Sequence, residues 1–340
     1  MIGSGGRRAL TLLVSLVITA IFLALALSSV DFGKLARAFA SADYRLAAIA
    51  ALFTFGGYVL RTVRWQRFLA PTKLIPIARL FPVLVVGFAL NNLLPGRPGE
   101  FARPIWLGQR ENLSKTLGFA TIIVERVADG IALIAFLLLT LVALGSLGLR
   151  LPAAAETIAA LTTVLFGVAL AALVFLLVRE ELALALLRRI TRFLPHALAA
   201  RIEKMLGSFV VGLHSLKSAR DVAAIALLSA AIWGMESVSY FLMLTAFGVL
   251  PDTPTRLVAA PFMMVLINLG VMIPAAPGGL GPFEAAAVFA LSTFGVSSTA
   301  AASVALAAHA MQYLLITGLG LVFIWHEGIS LAQTREEVDA

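Results

Sequence analysis

The sequence predicts an all-α polytopic integral membrane protein, because apolar segments long enough to cross a bilayer recur from one end of the chain to the other. Of its 340 residues, 61% are hydrophobic and only 13% are charged, and the mean hydropathy is +0.99. These values lie outside the range of soluble domains. The chain has no cysteine and only 4 histidines, and no two histidines stand at ligand spacing. We therefore expect neither a metal site nor a cofactor.

About six segments have the length of about twenty apolar residues that a full transmembrane helix needs. The first follows Arg7 and Arg8, and the second ends in a basic and aromatic cluster that is typical of a cytoplasmic interface: Arg61, Arg64, Trp65 and Arg67. This pattern predicts a multi-pass protein of the bacterial inner (plasma) membrane with both termini cytoplasmic. The net charge of +8 fits basic residues beside anionic headgroups, and we expect no nucleic-acid partner. The six segments lie at 9–30, 44–63, 116–147, 157–178, 221–248 and 298–325.

Two further apolar segments, 76–110 and 257–295, are interrupted by proline, glycine and polar residues. A continuous lipid-facing helix cannot contain such a break, because the freed backbone groups would have no partner in hydrocarbon. We interpret both segments as re-entrant helical hairpins. Their predicted tips are Pro95 and Gly99 in the first, and Pro277, Gly278, Gly279 and Gly281 in the second.

The two hairpins belong to a weak internal repeat. A shift of 184 positions places Pro98 on Pro282, Glu100 on Glu284 and Glu125 on His309. Because the first hairpin would enter from inside and the second from outside, the repeat is inverted, a common construction in transporters. Chance similarity between two Pro/Gly-rich breaks is the alternative. We predict one membrane domain over 1–340, with a first half at 44–147, a cytoplasmic amphipathic segment at 179–220 and a second half at 221–326.

The residues most informative about function are charges deep inside a predicted span. Glu125, Arg126 and Asp129 lie where each unpaired charge costs about 2.5 to 3.5 kcal/mol. One interpretation is an ion-pair network that holds the first hairpin; the other is a polar cavity that accepts an anionic headgroup, and the two can coexist. A histidine such as His309 also has a simpler role in helix packing. The candidate binding or translocation residues are Asn92, Arg97, Glu100, Arg103, Glu125, Arg126, Asp129, Glu284 and His309.

These motifs resemble the lysylphosphatidylglycerol synthase transmembrane family, whose members are also called flippase-like domain proteins. The resemblance rests on the run from Asn91 to Arg103, on Glu125-Arg126-Val-Ala-Asp129, and on a second block from Pro274 to Glu284. Arg61 to Trp65 resembles an earlier element of the family. In its bifunctional members a cytoplasmic aminoacyltransferase domain follows the membrane region; here the chain ends soon after Trp325, so the resemblance implies the lipid-translocating half alone.

We therefore expect a flippase or scramblase-like protein that moves a polar or anionic lipid, and no enzymatic activity. Two alternatives stay open: an ion-coupled transporter of small solutes, and a membrane scaffold that recruits a separate lipid-synthesising enzyme through 179–220. The expected partners are membrane lipids, with such an enzyme and a homo-oligomer as further possibilities. The fold by itself does not identify the substrate.

Overall fold

The computed structural model describes residues 4–146, 218–273 and 275–326, together with isolated positions between 148 and 195. The described part is helical and contains no strand, so the predicted all-α polytopic fold is confirmed. In chain order the helices are α1 (Ser4–Leu27), α2 (Phe32–Ser41), α3 (Tyr44–Leu69), α4 (Ile77–Leu93), α5 (Gly99–Glu111), α6 (Lys115–Ser146), α7 (Ala219–Ala246), α8 (Thr253–Gly270), α9 (Pro282–Ser292) and α10 (Ser298–His326), with a short 3-10 turn at Pro277–Gly279 before α9.

Four of the described helices, α3, α6, α7 and α10, are long and apolar enough to cross a membrane. The bent pair Leu13–Leu27 and Phe32–Ser41, with an angle of 81° between its parts, would make a fifth span if it is counted as one. These helices correspond to five of the predicted spans. Most of the predicted span at 157–178 and of the amphipathic segment at 179–220 lies outside the described residues.

The first predicted hairpin consists of α4 and α5. These helices have 17 and 13 residues, so at 1.5 Å per residue each is shorter than a hydrocarbon core of about 30 Å. They pack closely because Gly87 and Gly99 face each other, and a Cβ atom on Gly99 would collide with the Gly87 backbone. The side chain of Asn91 accepts a hydrogen bond from the Gly99 backbone N–H at 2.8 Å, which fixes the start of α5.

The second hairpin consists of α8 and α9, and it is closed by the same device. Gly270 lies against Pro282 and Ala286, where an added Cβ would be 2.9 Å from the Ala286 Cβ. The chain reverses through Gly278, Gly279 and Gly281, which all have positive φ, at 74°, 76° and 92°. Glycine adopts this conformation without the steric cost that a side chain would add. Buried apolar residues form one core mainly around α8 to α10 and another mainly around α3 to α5.

The helix order α3, α4, α5, α6 recurs as α7, α8, α9, α10. The equivalent helices α3 and α7 run antiparallel: the Asp43 N–H donates to the Ala246 carbonyl at 2.9 Å, and the Thr54 hydroxyl lies 2.9 Å from the Ser239 hydroxyl. Thr54 and Ser239 are 185 positions apart, almost the repeat shift. Antiparallel contact at equivalent positions is the arrangement that an inverted repeat produces.

Candidate functional site

Glu125 lies at the centre of a buried ion network on α6. Its carboxylate is fully buried and accepts two hydrogen bonds from the Arg103 guanidinium, at 3.2 and 2.9 Å. Arg126 adds a third hydrogen bond at 2.7 Å. Arg103 comes from α5 and its guanidinium lies 4.3 Å from the centre of the Trp65 ring. The bidentate pair therefore ties the first hairpin to α6, as the ion-pair interpretation expects.

Asp129 lies one turn further along α6 and forms ion pairs with two arginines of α3. Arg64 donates to it at 2.7 Å, and Arg61 lies 3.8 Å away. Arg126 also contacts this carboxylate, at 3.2 Å. Both arginine side chains are buried in ion pairs and do not face their surroundings as free cations. The cytoplasmic interface that this cluster predicts stays a prediction. Trp65, which belongs to the same cluster, is completely buried and donates its indole N–H to Thr121 at 3.0 Å.

Glu236 on α7 is a member of the network that sequence reasoning missed. Its carboxylate accepts from Arg61 at 2.9 Å and from the amide of Asn268 at 3.1 Å, so it links α3 to the second hairpin. Ser229, also on α7, accepts from Arg64 at 2.9 Å. A signal was present in the sequence, since Glu236 is an acidic residue in the middle of the predicted span 221–248.

The network contains more positive than negative charge. Its members are four arginines, Arg61, Arg64, Arg103 and Arg126, and three carboxylates, Glu125, Asp129 and Glu236, which leaves a net charge of one positive unit. Burying such ions costs several kcal/mol each unless they are paired and hydrogen-bonded. Most members are almost inaccessible, but the Arg126 side chain is 39% exposed. Arg126 is therefore the most exposed cation of the network.

Arg126 lines a cavity of about 340 Å³ that lies between the two halves of the repeat. The tips of both hairpins contribute to the same cavity, which therefore brings together parts of the chain nearly 200 residues apart. Glu125 and Asp129 bind the Arg126 guanidinium, and Arg103 in turn binds Glu125. The polar and tip residues of the lining are Ser15, Tyr58, Asn91, Asn92, Pro95, Gly96, Arg97, Glu100, Arg126, Glu236, Tyr240, Asn268, Pro277, Gly278, Gly279, His309, Gln312 and Tyr313.

The remaining candidates of the first hairpin have distinct positions. Arg97 donates to the Val271 carbonyl at 2.9 Å and so connects the two hairpins, and the Asn92 amide donates to Thr317 on α10 at 3.1 Å. Glu100 lines the cavity. Gly99, a predicted tip residue, instead closes the contact between α4 and α5.

In the second half, Glu284 and His309 form a buried pair. The Nδ1 atom of His309 lies 2.6 Å from Oε1 of Glu284, and its Nε2 atom lies 3.0 Å from the Gly278 carbonyl oxygen. The other carboxylate oxygen accepts from the Gly281 N–H at 2.7 Å and so caps α9. Gly281 itself packs against Thr19 of α1. Among the described residues no cluster of three or more His, Asp or Glu side chains could hold a metal ion.

The fold and the cavity define a class: a polytopic all-α membrane protein with two helical hairpins around a buried, charged cavity. Within that class the chain belongs to the family of the lysylphosphatidylglycerol synthase TM region, whose pattern it matches over residues 12–320. The resemblance found in the sequence motifs is thus confirmed.

Three relatives show how far this similarity extends. The chain is 27% identical to a UPF0104 membrane protein of Methanothermobacter thermautotrophicus, over 94% of this chain and 96% of that protein. It is 25% identical to a UPF0104 membrane protein of Pyrococcus horikoshii, over 83% of this chain and 87% of that protein. It is also 27% identical to the glycosyltransferase AglD of Haloferax volcanii, over 97% of this chain but only 56% of that protein.

Proposed function

We propose that this protein carries a polar or anionic lipid headgroup across the bilayer through the cavity between its hairpins, as a flippase or scramblase. The observation that carries the proposal is the position of Arg126, a partly exposed cation at the wall of a cavity inside the membrane domain. A headgroup needs such a partner because moving a charge through hydrocarbon costs about 2.5 to 3.5 kcal/mol even on insertion scales. No covalent chemistry is required, so we propose that the protein is not an enzyme.

The size of the cavity favours a headgroup over a whole lipid. Its volume of about 340 Å³ is at the lower end of the range of about 300 to 1,000 Å³ for small-molecule sites. A headgroup fits such a space while the acyl chains stay in the surrounding bilayer. The family's description refers to the synthesis of a phospholipid derivative, which supports lipids as the substrate class.

The charges of the cavity suit an anionic or zwitterionic group. Arg97 and Arg126 face it together with the carboxylates Glu100 and Glu236, so the wall itself is balanced. The network behind the wall adds the excess positive charge. The Arg126 side chain is 39% exposed, so its guanidinium can donate hydrogen bonds to an oxygen of the headgroup.

An ion-coupled transporter of small solutes is the second candidate, and the observation that favours it is the buried His309–Glu284 pair at the same cavity. Inverted repeats with broken helices are common among such transporters.

We also propose that the protein lies in the bacterial inner membrane with both termini cytoplasmic. With Arg61 and Arg64 buried in the network, this orientation now rests on exposed basic residues such as Arg67 at the end of α3.

The direct test is lipid movement in proteoliposomes of phosphatidylethanolamine and phosphatidylglycerol with a trace of fluorescent phosphatidylglycerol. Dithionite quenches only the outer leaflet, so quenching of the inner pool reports translocation. We expect wild-type protein to accelerate this phase and Arg126→Gln to slow it by about tenfold to a hundredfold, the effect of removing a partner worth a few kcal/mol.

Arg67→Gln is the matched control, because Arg67 is an exposed arginine at the end of α3. It should translocate as fast as wild type. Equal rates for wild type, Arg126→Gln and protein-free liposomes would contradict the proposal for this lipid. Uptake of a small anion without lipid movement would instead support the second candidate.

A further inference from the structure

The His309–Glu284 pair is a second polar centre, separate from the arginine network. Both side chains are buried, with 6% of His309 and 1% of Glu284 exposed. The Phe283 ring stacks on the imidazole with the ring centres 4.2 Å apart. No arginine or lysine contributes a hydrogen bond to this pair in the described structure, so its charge depends on the protons that it holds.

The contacts determine how many protons these are. The Gly278 carbonyl can only accept, so Nε2 of His309 carries a hydrogen. Oε2 of Glu284 accepts the Gly281 N–H at 2.7 Å, a contact that favours an unprotonated oxygen. One further proton must lie between Nδ1 and Oε1, because these atoms are only 2.6 Å apart. The pair therefore holds one shared proton and is neutral as a unit.

Removing the shared proton breaks one of the contacts of His309. A neutral imidazole has a single N–H. It would keep this N–H toward the charged carboxylate, since a hydrogen bond to an ionised acceptor is stronger than one to a carbonyl. The lone pair of Nε2 would then face the Gly278 oxygen. The second hairpin tip thereby loses its donor on α10.

The tip is also connected to the first hairpin. The Tyr313 ring packs 2.7 Å from the place where a Cβ on Gly278 would lie, and the Tyr313 hydroxyl donates to the Asn92 carbonyl at 3.2 Å. His309 and Tyr313 are one turn apart on α10. A change at Gly278 is therefore adjacent to the contact that joins the two hairpin tips.

Other ionisable groups surround the pair at greater distance. Asp31, the N-cap of α2, donates its backbone N–H to the Thr299 hydroxyl, ten residues or about 15 Å along α10 from His309. The described α1 residues at the cavity and the second hairpin tip, Ser15 and Thr19, do not titrate. The titratable groups that share the cavity with His309 are Tyr58, Arg97, Glu100, Arg126, Glu236, Tyr240 and Tyr313.

We propose that His309 and Glu284 form a proton-binding site whose occupancy holds the tip of the second hairpin at the cavity. With the shared proton bound, Gly278 is attached to α10; without it, the tip is released. The consequence for transport rests on the proposed function: lipid movement would respond to a difference in pH across the membrane, because the site lines the same cavity as Arg126.

The first test measures the position of the tip without any lipid movement. The chain has no native cysteine, so Ala275→Cys, at the cavity wall, supplies a unique thiol. We measure the rate at which this thiol reacts with a maleimide in nanodiscs, and we divide it by the rate for Ser41→Cys, an exposed position on α2. This accessibility ratio removes the intrinsic effect of pH on thiol reactivity. Between about pH 6 and about pH 9 we expect the ratio to rise about tenfold, the effect of losing one hydrogen bond from a charged donor.

Two substitutions fix the site in opposite states. In Glu284→Gln the amide can donate to Nδ1, so Nε2–H stays on Gly278 and the ratio stays low at every pH. In His309→Ala the donor is absent and the ratio stays high. His326→Gln, at the exposed end of α10, should have the same pH-dependent ratio as the Ala275→Cys parent protein. A ratio that does not change with pH in the parent, or one that still changes in Glu284→Gln, overturns the proposal even if His309→Ala fails to fold.

The second test imposes a pH difference across the proteoliposomes. Wild type should change its translocation rate with the difference, while Glu284→Gln should translocate at a rate that no longer depends on it. Translocation by wild type that is indifferent to pH overturns the proton site and leaves the proposed function intact. Absence of lipid movement in every variant counts against the proposed function, and the cysteine ratio then still decides the proton site.

Discussion

The two halves of the repeat place different chemistry at equivalent positions. Glu125 in the first half and His309 in the second are 184 residues apart, and each receives a partner from the second arm of its own hairpin. In the first half that partner is Arg103, within a network of ion pairs between guanidinium and carboxylate groups. In the second half it is Glu284, and the pair holds one proton. One backbone arrangement therefore supports an arginine–carboxylate network on one side of the cavity and the proposed proton-binding pair on the other.

The largest difference between the halves should appear when an acid of each is removed. Asp129→Ala leaves Arg64, which is completely buried, without its carboxylate at 2.7 Å. Breaking a buried pair in this way costs about 3 to 5 kcal/mol. We expect a large drop in thermal stability in detergent, measured by the temperature at which half of the protein aggregates.

Glu284→Gln is the matching change in the second half and should cost much less, because a neutral amide can replace both hydrogen bonds of the carboxylate. Asp252→Ala is a surface control, since Asp252 is exposed and only caps α8 through Thr255. An Asp129→Ala protein as stable as Asp252→Ala would show that the network does not hold the first half together.

The hairpin contacts sharpen the same comparison. In Gly99→Ala the new methyl group would collide with the Gly87 backbone, whereas in Gly270→Ala it would meet the Ala286 side chain and the Pro282 carbonyl at 2.9 and 3.0 Å. Overpacking costs about 1 to 3 kcal/mol. We expect Gly99→Ala to destabilise the protein by about 3 kcal/mol or more, because backbone must move. Gly270→Ala should destabilise it less.

Gly234→Ala is the control for these glycine substitutions, because Gly234 lies inside α7 with open space where its Cβ would be. It should be neutral or stabilising by up to about 1 kcal/mol, the gain in helix propensity. Equal losses at Gly99 and Gly270, measured by thermal unfolding, would mean that the two hairpins are packed equally tightly.

A milder change tests the geometry of the Arg103–Glu125 pair. Arg103→Lys keeps the charge but loses the two-pronged hydrogen bond and the stacking on Trp65. We expect a loss of about 1 to 2 kcal/mol in stability together with slower lipid translocation. Arg67→Lys, exposed on α3, should change neither quantity. A fully stable Arg103→Lys would indicate that charge alone, without geometry, is sufficient.

The smallest effect concerns Glu111 at the end of α5, where Lys73 donates to the carboxylate at 2.8 Å and holds its pKa below the usual value. A lowered folded-state pKa means that the pair stabilises the protein above the ordinary pKa of about 4.5 and that this contribution disappears as the pH falls through the folded value. Because Lys73 is partly exposed, we expect the pair to contribute only about 0.5 to 1 kcal/mol to the free energy of unfolding. Thermal unfolding of Glu111→Gln should lose this acid-side slope; an unchanged slope would assign it to other carboxylates.

The all-α fold, the two hairpins and the pairing of the charges at Glu125 to Asp129 were predictable, because lipid enforces long apolar helices and makes every charge within a span conspicuous. The ion pairs of Arg61 and Arg64 could not be predicted from the sequence. Near the end of an apolar run, an arginine that snorkels to the interface and one that enters a buried network have the same local sequence. Only the folded chain brings Asp129 to α3, and the same applies to the link between Glu236 and Asn268.

We propose above that lipid headgroups cross the bilayer at the cavity between the two halves. The most direct measurement is the rate of inner-leaflet quenching by dithionite for wild type, Arg126→Gln and Glu284→Gln in the same liposomes, with and without an imposed pH difference. We expect translocation by wild type, a strongly reduced rate for Arg126→Gln, and translocation without pH dependence for Glu284→Gln. Wild-type rates in Arg126→Gln would contradict the proposal.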